Sequence, residues 1–378
     1  MMRSFLLLVF ALAAAAADPR AIFPPGVKPV GPYSPGVATD EMVFVSGQGA
    51  RDLSNNLPEG VEAQVRQCLE NVKAILAQEK LGMQNIVSTQ VFLADMTSFE
   101  VLNRVWSTYF PKDPPTRTVI GVSRMPTGTP VEINAIAVKN LAKRKILRVA
   151  GAKAQEPISF AVQNEDRVYL SGGIGRNLRG SIPKDARSQV KIVIAGLEAA
   201  LKPAGLQIRN LVYANIYVDS GMPLKELADL LDDALPDETM RTIIQTTSLP
   251  FGAHIQISGV AAARAERIGG HCSAVGEMVF CSGRMGTIRQ TLESLKADVG
   301  VGKLGLNRVV ATNVYIDDLD QFAAMNKVYA TFFGAVAPTR TTVQPWKAVQ
   351  ELSLPPTTGT SAKDDDSPRA LVSIIAIR

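Results

Sequence analysis

The feature that most limits what this chain can fold into is a unit written three times. The runs "MVFVSGQG" (42–49), "RVYLSGGIG" (167–175) and "MVFCSGRMG" (278–286) each carry β-branched and aromatic residues and close on Ser-Gly, as a strand entering a turn does. A helical period follows each: Val61, Val65, Leu69, Val72 and Leu76; then Val190, Ile194, Leu197 and Leu201; then Ile288, Leu292, Leu295 and Val299. A second strand comes next ("NIVSTQVFLAD", "NLVYANIYVDS", "RVVATNVYIDD"), and then a second helix ("SFEVLNRVWSTYF", "PLKELADLLDDAL", "QFAAMNKVYATFF"). Each unit then presents one arginine (Arg117, Arg241, Arg340) and ends on an apolar strand: "VEINAIAV", "IQISGVAA", "VSIIAIR".

Spacing fixes the register of the copies. Gly82 to Arg117 and Gly305 to Arg340 are both 35 residues, while the serine-to-arginine distances are 71, 70 and 58. From the arginine to Ala135, Gly259 or Ala376 in the last strand is 18, 18 and 36 residues, which predicts an 18-residue insert in the third copy, a loop at about 346–368. The order ββαβαββ makes one sheet with two helices on one face, an α+β unit. Because the closing strands are apolar on both faces, the bare sheet faces need cover, and three sheets packed on one another with helices outside supply it. The predicted architecture is an intramolecular pseudo-trimer of three domains at 27–140, 146–264 and 265–378, the second and third divergent, monomeric as a chain.

Residues 1–17 have a lone basic residue, Arg3, an apolar run and small residues Ala15 and Ala17, the pattern of a secretory signal peptide cleaved near Ala17; the run is too short for a membrane span. The secreted product would then have no membrane association. Without Arg3 the net charge is +4, too small and too evenly spread for a nucleic-acid footprint. Three cysteines cannot all pair. Cys272 and Cys281 are the nearer couple, yet Cys281 falls mid-strand and Cys68 on an apolar helix face, so three buried thiols are the expectation.

"GPYSPG" (31–36), "VFVSGQ" (43–48), "LNRVWSTYF" (102–110), "PPTRTVIGV" (114–122) and "VEINAIAV" (131–138) resemble, in order, the motifs of the Rid family, imine/enamine deaminases once grouped as endoribonuclease L-PSP. The likeness covers all of repeat 1, the second half of repeat 3 and mainly the apolar framework of repeat 2. It implies chorismate-mutase-like domains with clefts between neighbours, and hydrolysis of reactive 2-imino acids to 2-keto acids and ammonia without metal or cofactor. On that resemblance Arg117 would grip the substrate carboxylate through a bidentate guanidinium. Glu132 would orient the attacking water and handle its proton, while Tyr33, Ser46, the Gly47 backbone and Asn103 would line the pocket.

The later repeats depart from the motifs. Glu132 aligns with Gln256 and Ser373, and Asn103 with Asn326 but with no asparagine in repeat 2, where Leu227 stands nearest. Within one chain the best cleft expected is Arg117 and Glu132 set against repeat 3 with Asn326; Arg241 and Arg340 would bind without a base, and no cleft would hold the full set. Two functional readings stand: a secreted imine deaminase with one working cleft, and a non-catalytic protein that holds small carboxylates on its arginines. Ribonuclease activity is disfavoured by the modest charge and by a histidine content of two.

Overall fold

The computed structural model describes residues 17–151, 157–177, 180–346 and 367–378. The N-terminal segment 1–16, which carries most of the expected leader, and 347–366 of the expected insert lie outside the described residues. The first repeat contains β1 (Arg20–Ile22), β2 (Gly36–Ala38), β3 (Met42–Gly49), α1 (Val61–Ala77), β4 (Ile86–Leu93), α2 (Phe99–Tyr109), β5 (Thr116–Gly121) and β6 (Val131–Val138). The second contains β7 (Arg144–Leu147), β8 (Ala161–Asn164), β9 (Arg167–Ile174), α3 (Ala186–Leu201), β10 (Leu211–Val218), α4 (Leu224–Ala234), β11 (Met240–Gln245) and β12 (Ile255–Ala261). The third contains β13 (Glu266–Ile268), β14 (Cys272–Val275), β15 (Met278–Thr287), α5 (Ile288–Val301), β16 (Val309–Ile316), α6 (Phe322–Tyr329), β17 (Thr339–Val343) and β18 (Arg369–Ile377). Each repeat thus opens with one short strand more than the sequence suggests.

The three six-stranded sheets share one strand order, β1-β2-β3-β6-β4-β5 in the first, with its counterparts in the others. β4 and β5 run parallel because α2 carries the chain between them, as a right-twisted crossover requires, and the other neighbours are antiparallel. The helices cover one sheet face: Val65, Cys68, Leu69, Val72, Ile75 and Leu76 of α1 are buried there against the strands. The opposite faces bury one another. Phe44, Tyr169 and Phe280, at matching positions of β3, β9 and β15, meet in a core drawn from all three repeats, and Phe92, Tyr217 and Tyr315 belong to a second shared core.

A polar layer accompanies these apolar ones. Asn134 donates to Gln90 (2.8 Å) and to Thr341 of the third repeat (2.9 Å), and Gln90 donates to the Tyr217 hydroxyl of the second (2.6 Å). A cavity of ≈ 90 Å³ lies among the sheets, lined by residues of all three repeats including Asn134, Asn215 and Asn313; neither Arg340 nor Glu132 faces it.

Two expectations are corrected. Cys272 and Cys281 form a disulfide, leaving Cys68 free and buried. The reason is register: a tight turn at Gly276-Glu277 pairs Val275 with Met278 and so sets Cys272 directly opposite Cys281. The last strand is also shifted by two residues from the alignment above. β15 pairs Met278 with Ile377 and Met285 with Leu371, as β3 pairs Met42 with Val138 and Gly49 with Glu132. Leu371, and not Ser373, therefore stands where repeat 1 has Glu132, and the insert is 16 residues long rather than 18.

Candidate functional site

The three arginines sit on sheet edges, and the edge decides what each one meets. β5, β11 and β17 are the last strands of their sheets, and an edge strand offers unpaired backbone groups to a neighbour. Opposite them, β3, β9 and β15 each carry a bulge in which two residues, the Ser-Gly pair, face one residue of the partner strand. The bulge turns the serine out of the ladder. Its hydroxyl accepts the arginine N–H of the neighbouring repeat: Arg117 to Ser171 at 2.9 Å, Arg241 to Ser282 at 3.2 Å and Arg340 to Ser46 at 2.9 Å. The repeats follow one another in a ring, 1 to 2, 2 to 3 and 3 to 1, with a cleft at each joint.

At the joint of repeats 3 and 1, the Ser34 hydroxyl donates to the Ala337 carbonyl (2.6 Å) and its N–H to that of Pro338, tying "GPYSPG" to the start of β17. Arg340 is 3% exposed. Its guanidinium carbon lies 4.9 Å from the Tyr33 ring, 4.8 Å from Tyr329 and 5.4 Å from Phe322, a box of ring faces that holds a cation. Burial pulls its proton affinity down, and Tyr329, Tyr33 and Glu132 oppose that. Arg340 Nη2 and Asn326 Oδ1 are buried with no hydrogen-bond partner among the described residues. An unpaired buried guanidinium nitrogen costs free energy, so its place in a native fold marks a site built for a ligand acceptor.

Glu132 belongs to the same cleft. Its side chain covers Gly47, where a Cβ would overlap the carboxylate, and it accepts a hydrogen bond from the Thr342 N–H. Burial pushes its pKa up to about 8, against the pull of Arg340 and of that N–H. A carboxyl titrating there can take a proton and return it at neutral pH. The Thr342 hydroxyl, next to it, is buried without a partner among the described residues.

Arg117 occupies a different cleft. Sheet order places β6, with Glu132, two strands inboard of β5, with Arg117, and the edge arginine points into repeat 2. It donates to Asn103 Oδ1 (2.6 Å) from its own repeat and is walled by Trp106 (4.9 Å) and Phe99 (5.8 Å). Across the joint stand Ser171, Gly172 and Gln256, the last covering Gly172 as Glu132 covers Gly47. Ile158, beside the Ser159 that bonds the Pro114 carbonyl (2.6 Å), holds the place of Tyr33. Arg117 and Glu132 therefore lie in different clefts, and the expectation that no cleft holds the full set is overturned: Tyr33, Ser46, Gly47, Glu132, Asn326 and Arg340 converge. The sequence expectation had grouped glutamate with the nearer arginine, whereas the fold groups arginine with asparagine and glutamate with tyrosine.

The third cleft is closed by the protein itself. Arg241 pairs with Asp232 (2.6 Å) and donates to the carbonyls of Leu235 and Pro236 (3.1 Å each). Ala228 takes the asparagine's place on α4, one residue past the buried Leu227, and Leu371 lies over Gly283.

Gly31, Thr342 and Tyr329 escaped the sequence reading as site residues, although "GPYSPG" held a signal for the first. A Cβ at Gly31 would lie 2.5 Å from Arg340 Nη2 and 2.9 Å from Asn326 Oδ1, in the space a ligand would use. Gly31→Ala should force a methyl group against the buried, ring-boxed Arg340 guanidinium and Asn326, costing some stability and raising the apparent Kd of any small carboxylate at this cleft by on the order of tenfold or more. Calorimetric titration with 2-ketobutanoate checks this, and unchanged affinity would show that the ligand lies elsewhere.

Each repeat thus sets one arginine on an edge strand against the next repeat, buried at two of the three joints and spent on Asp232 at the third. The chain belongs to the Endoribonuclease L-PSP family, whose model matches residues 25–139, 150–263 and 270–354. It is similar to a RutC family protein of Saccharolobus solfataricus, 37% identical over 115 residues, 30% of this chain and 91% of that protein. It is also similar to the mouse 2-iminobutanoate/2-iminopropanoate deaminase, 39% identical over 112 residues, 29% of this chain and 83% of the mouse protein. Among solved structures, E. coli TdcF with bound serine matches at 35% identity over 32% of this chain and 99% of its own, with a TM-score of 0.31.

Proposed function

We propose that the chain hydrolyses small 2-imino acids, in equilibrium with their enamines, to 2-keto acids and ammonia at the joint of repeats 3 and 1. The observation that carries this reading is the meeting in one cleft of a buried guanidinium, Arg340, whose Nη2 has no hydrogen-bond partner among the described residues, with a carboxyl, Glu132, whose pKa burial raises to about 8. Arg340 takes the substrate carboxylate, and Asn326 accepts a hydrogen bond from the substrate side. Water adds to the carbon of the protonated imine as Glu132 removes its proton, giving a neutral carbinolamine. Glu132 then returns that proton to nitrogen, the C–N bond breaks, ammonia leaves, and the hydroxyl proton passes to solvent, where ammonia takes it up, completing the ketone. The similarity to the mouse deaminase supports the substrate class.

The N-terminal segment is read as a secretory leader, and the Cys272–Cys281 bridge supports an oxidising destination. Cores shared by all three repeats support a protein that works as a single chain. The test of activity adds the protein, lacking residues 1–17, to a pyridoxal-phosphate-dependent threonine dehydratase with its substrate. Faster release of 2-ketobutanoate than from the dehydratase alone is expected, and an unchanged rate over a range of added protein would refute the reading.

A further inference from the structure

Strand alternation puts Thr342 on the same face of β17 as Arg340, two residues on, at the joint of repeats 3 and 1. Its backbone N–H meets the Glu132 carboxyl across that joint, which brings its side chain beside the base. Thr342 is 4% exposed, and its Oγ1 is buried without a hydrogen-bond partner among the described residues. A buried hydroxyl with nothing to bond to costs free energy, so something must offset it.

Packing gives no reason for the hydroxyl. Strand register sets Thr342 opposite Val314, as it sets Val119 opposite Val91 and Ile243 opposite Ile216, so the three are equivalent. Val119 is buried in the core of its repeat. Valine has nearly the shape of threonine and no polar atom to satisfy, so the fold accepts an apolar branched residue at this position. The hydroxyl also keeps company with the carboxyl. The Arg117 joint combines Val119 with Gln256, the Arg241 joint combines Ile243 with Leu371, and the joint that holds Glu132 is the one that holds Thr342.

We propose that the Thr342 hydroxyl positions the attacking water for hydrolysis at this joint, an inference that rests on the function proposed above. The water gives one hydrogen to Glu132 and the other to Thr342 Oγ1, a hydroxyl oxygen with lone pairs to spare. Both hydrogens are then fixed, and the water's remaining lone pair is turned toward the imine carbon of a substrate whose carboxylate lies on Arg340. Held by Glu132 alone, the water rotates about a single bond, and fewer of its orientations lead to attack. Thr342 takes no proton; the one released passes to Glu132.

The test compares wild type with Thr342→Val, Thr342→Ser and Thr342→Ala in release of 2-ketobutanoate from the imine made by threonine dehydratase. Thr342→Val should lower hydrolysis by on the order of tenfold, with the Kd for 2-ketobutanoate unchanged because the Arg340 grip remains. Thr342→Ser keeps the hydroxyl and should retain most activity. Thr342→Ala leaves space for a second water to stand in for the hydroxyl and should fall between serine and valine. A merely structural role predicts the reverse order, since valine fills the site and alanine leaves a void. The pH midpoint of activity should be the same in all four proteins, because each keeps the N–H that meets Glu132. Valine as active as wild type, alanine less active than valine, or a displaced midpoint in the valine variant would each overturn the proposal. If the valine variant misfolds, the comparison of alanine with serine decides, and equal activity of those two overturns it. Absence of hydrolysis by the wild type would refute the reading this inference rests on, whereas any of the other outcomes in an active wild type refutes the role of Thr342 alone.

Discussion

Arg340→Lys should lower kcat/KM for imine hydrolysis by roughly ten- to a hundredfold. The substitution exchanges a bidentate, charge-assisted pair for a single point charge, a change worth on the order of 1.5–3 kcal/mol. The loss should exceed that estimate if the lysine deprotonates, since the site is 3% exposed and desolvation favours the neutral amine. The corresponding change at Arg241 should be nearly silent for turnover, because that guanidinium is already spent on Asp232 and two backbone carbonyls. Release of 2-keto acid at limiting substrate decides the matter. Should Arg117→Lys cost as much turnover as Arg340→Lys, hydrolysis is not confined to the joint of repeats 3 and 1.

That prediction reverses what the sequence suggests, and the reversal has a physical source. Local patterns report local structure: the β-branched runs, the helical periods and the Ser-Gly ends fix the elements, and three copies of an unpaired apolar sheet face force the sheets together. The motifs of repeat 1 likewise picked out the side chains that line a cleft. Which cleft they line depends on strand order, a long-range property that spacing along the chain does not carry. Fifteen residues separate Arg117 from Glu132 in sequence, yet β4 lies between their strands.

The same limit accounts for the other differences. The two-residue shift of β18 was hidden because "VSIIAIR" is apolar throughout, and an apolar run has no phase to align on. The Cys272–Cys281 bridge needed the hairpin register, which one residue of turn would have changed. What Gly31 makes room for is legible only across a domain boundary, since Arg340 and Asn326 lie about 300 residues away in sequence. The fold was therefore readable one repeat at a time, whereas the site had to be read between repeats.

Glu132→Gln should abolish most turnover while leaving 2-ketobutanoate binding largely intact, because it removes proton transfer and spares the Arg340 grip. It should also stabilise the protein, and only at high pH. Burial lifts the carboxyl from 4.5 to about 8, so between those values the native state holds a proton that the unfolded state has released. Native protein binding more protons means that stability falls as pH rises through this window. Below about 4.5 the carboxyl is protonated in both states and costs nothing; above about 8 the full penalty applies, on the order of several kcal/mol. Glutamine carries no such penalty. Urea midpoints of wild type and Glu132→Gln should therefore converge near pH 4.5 and separate steadily toward pH 8.5, the variant being the more stable, while wild-type kcat/KM rises over the upper part of that range as the carboxylate forms. A gap that stays constant with pH would mean that Glu132 is not held neutral by burial, and the poised base required for hydrolysis at this cleft would be lost with it.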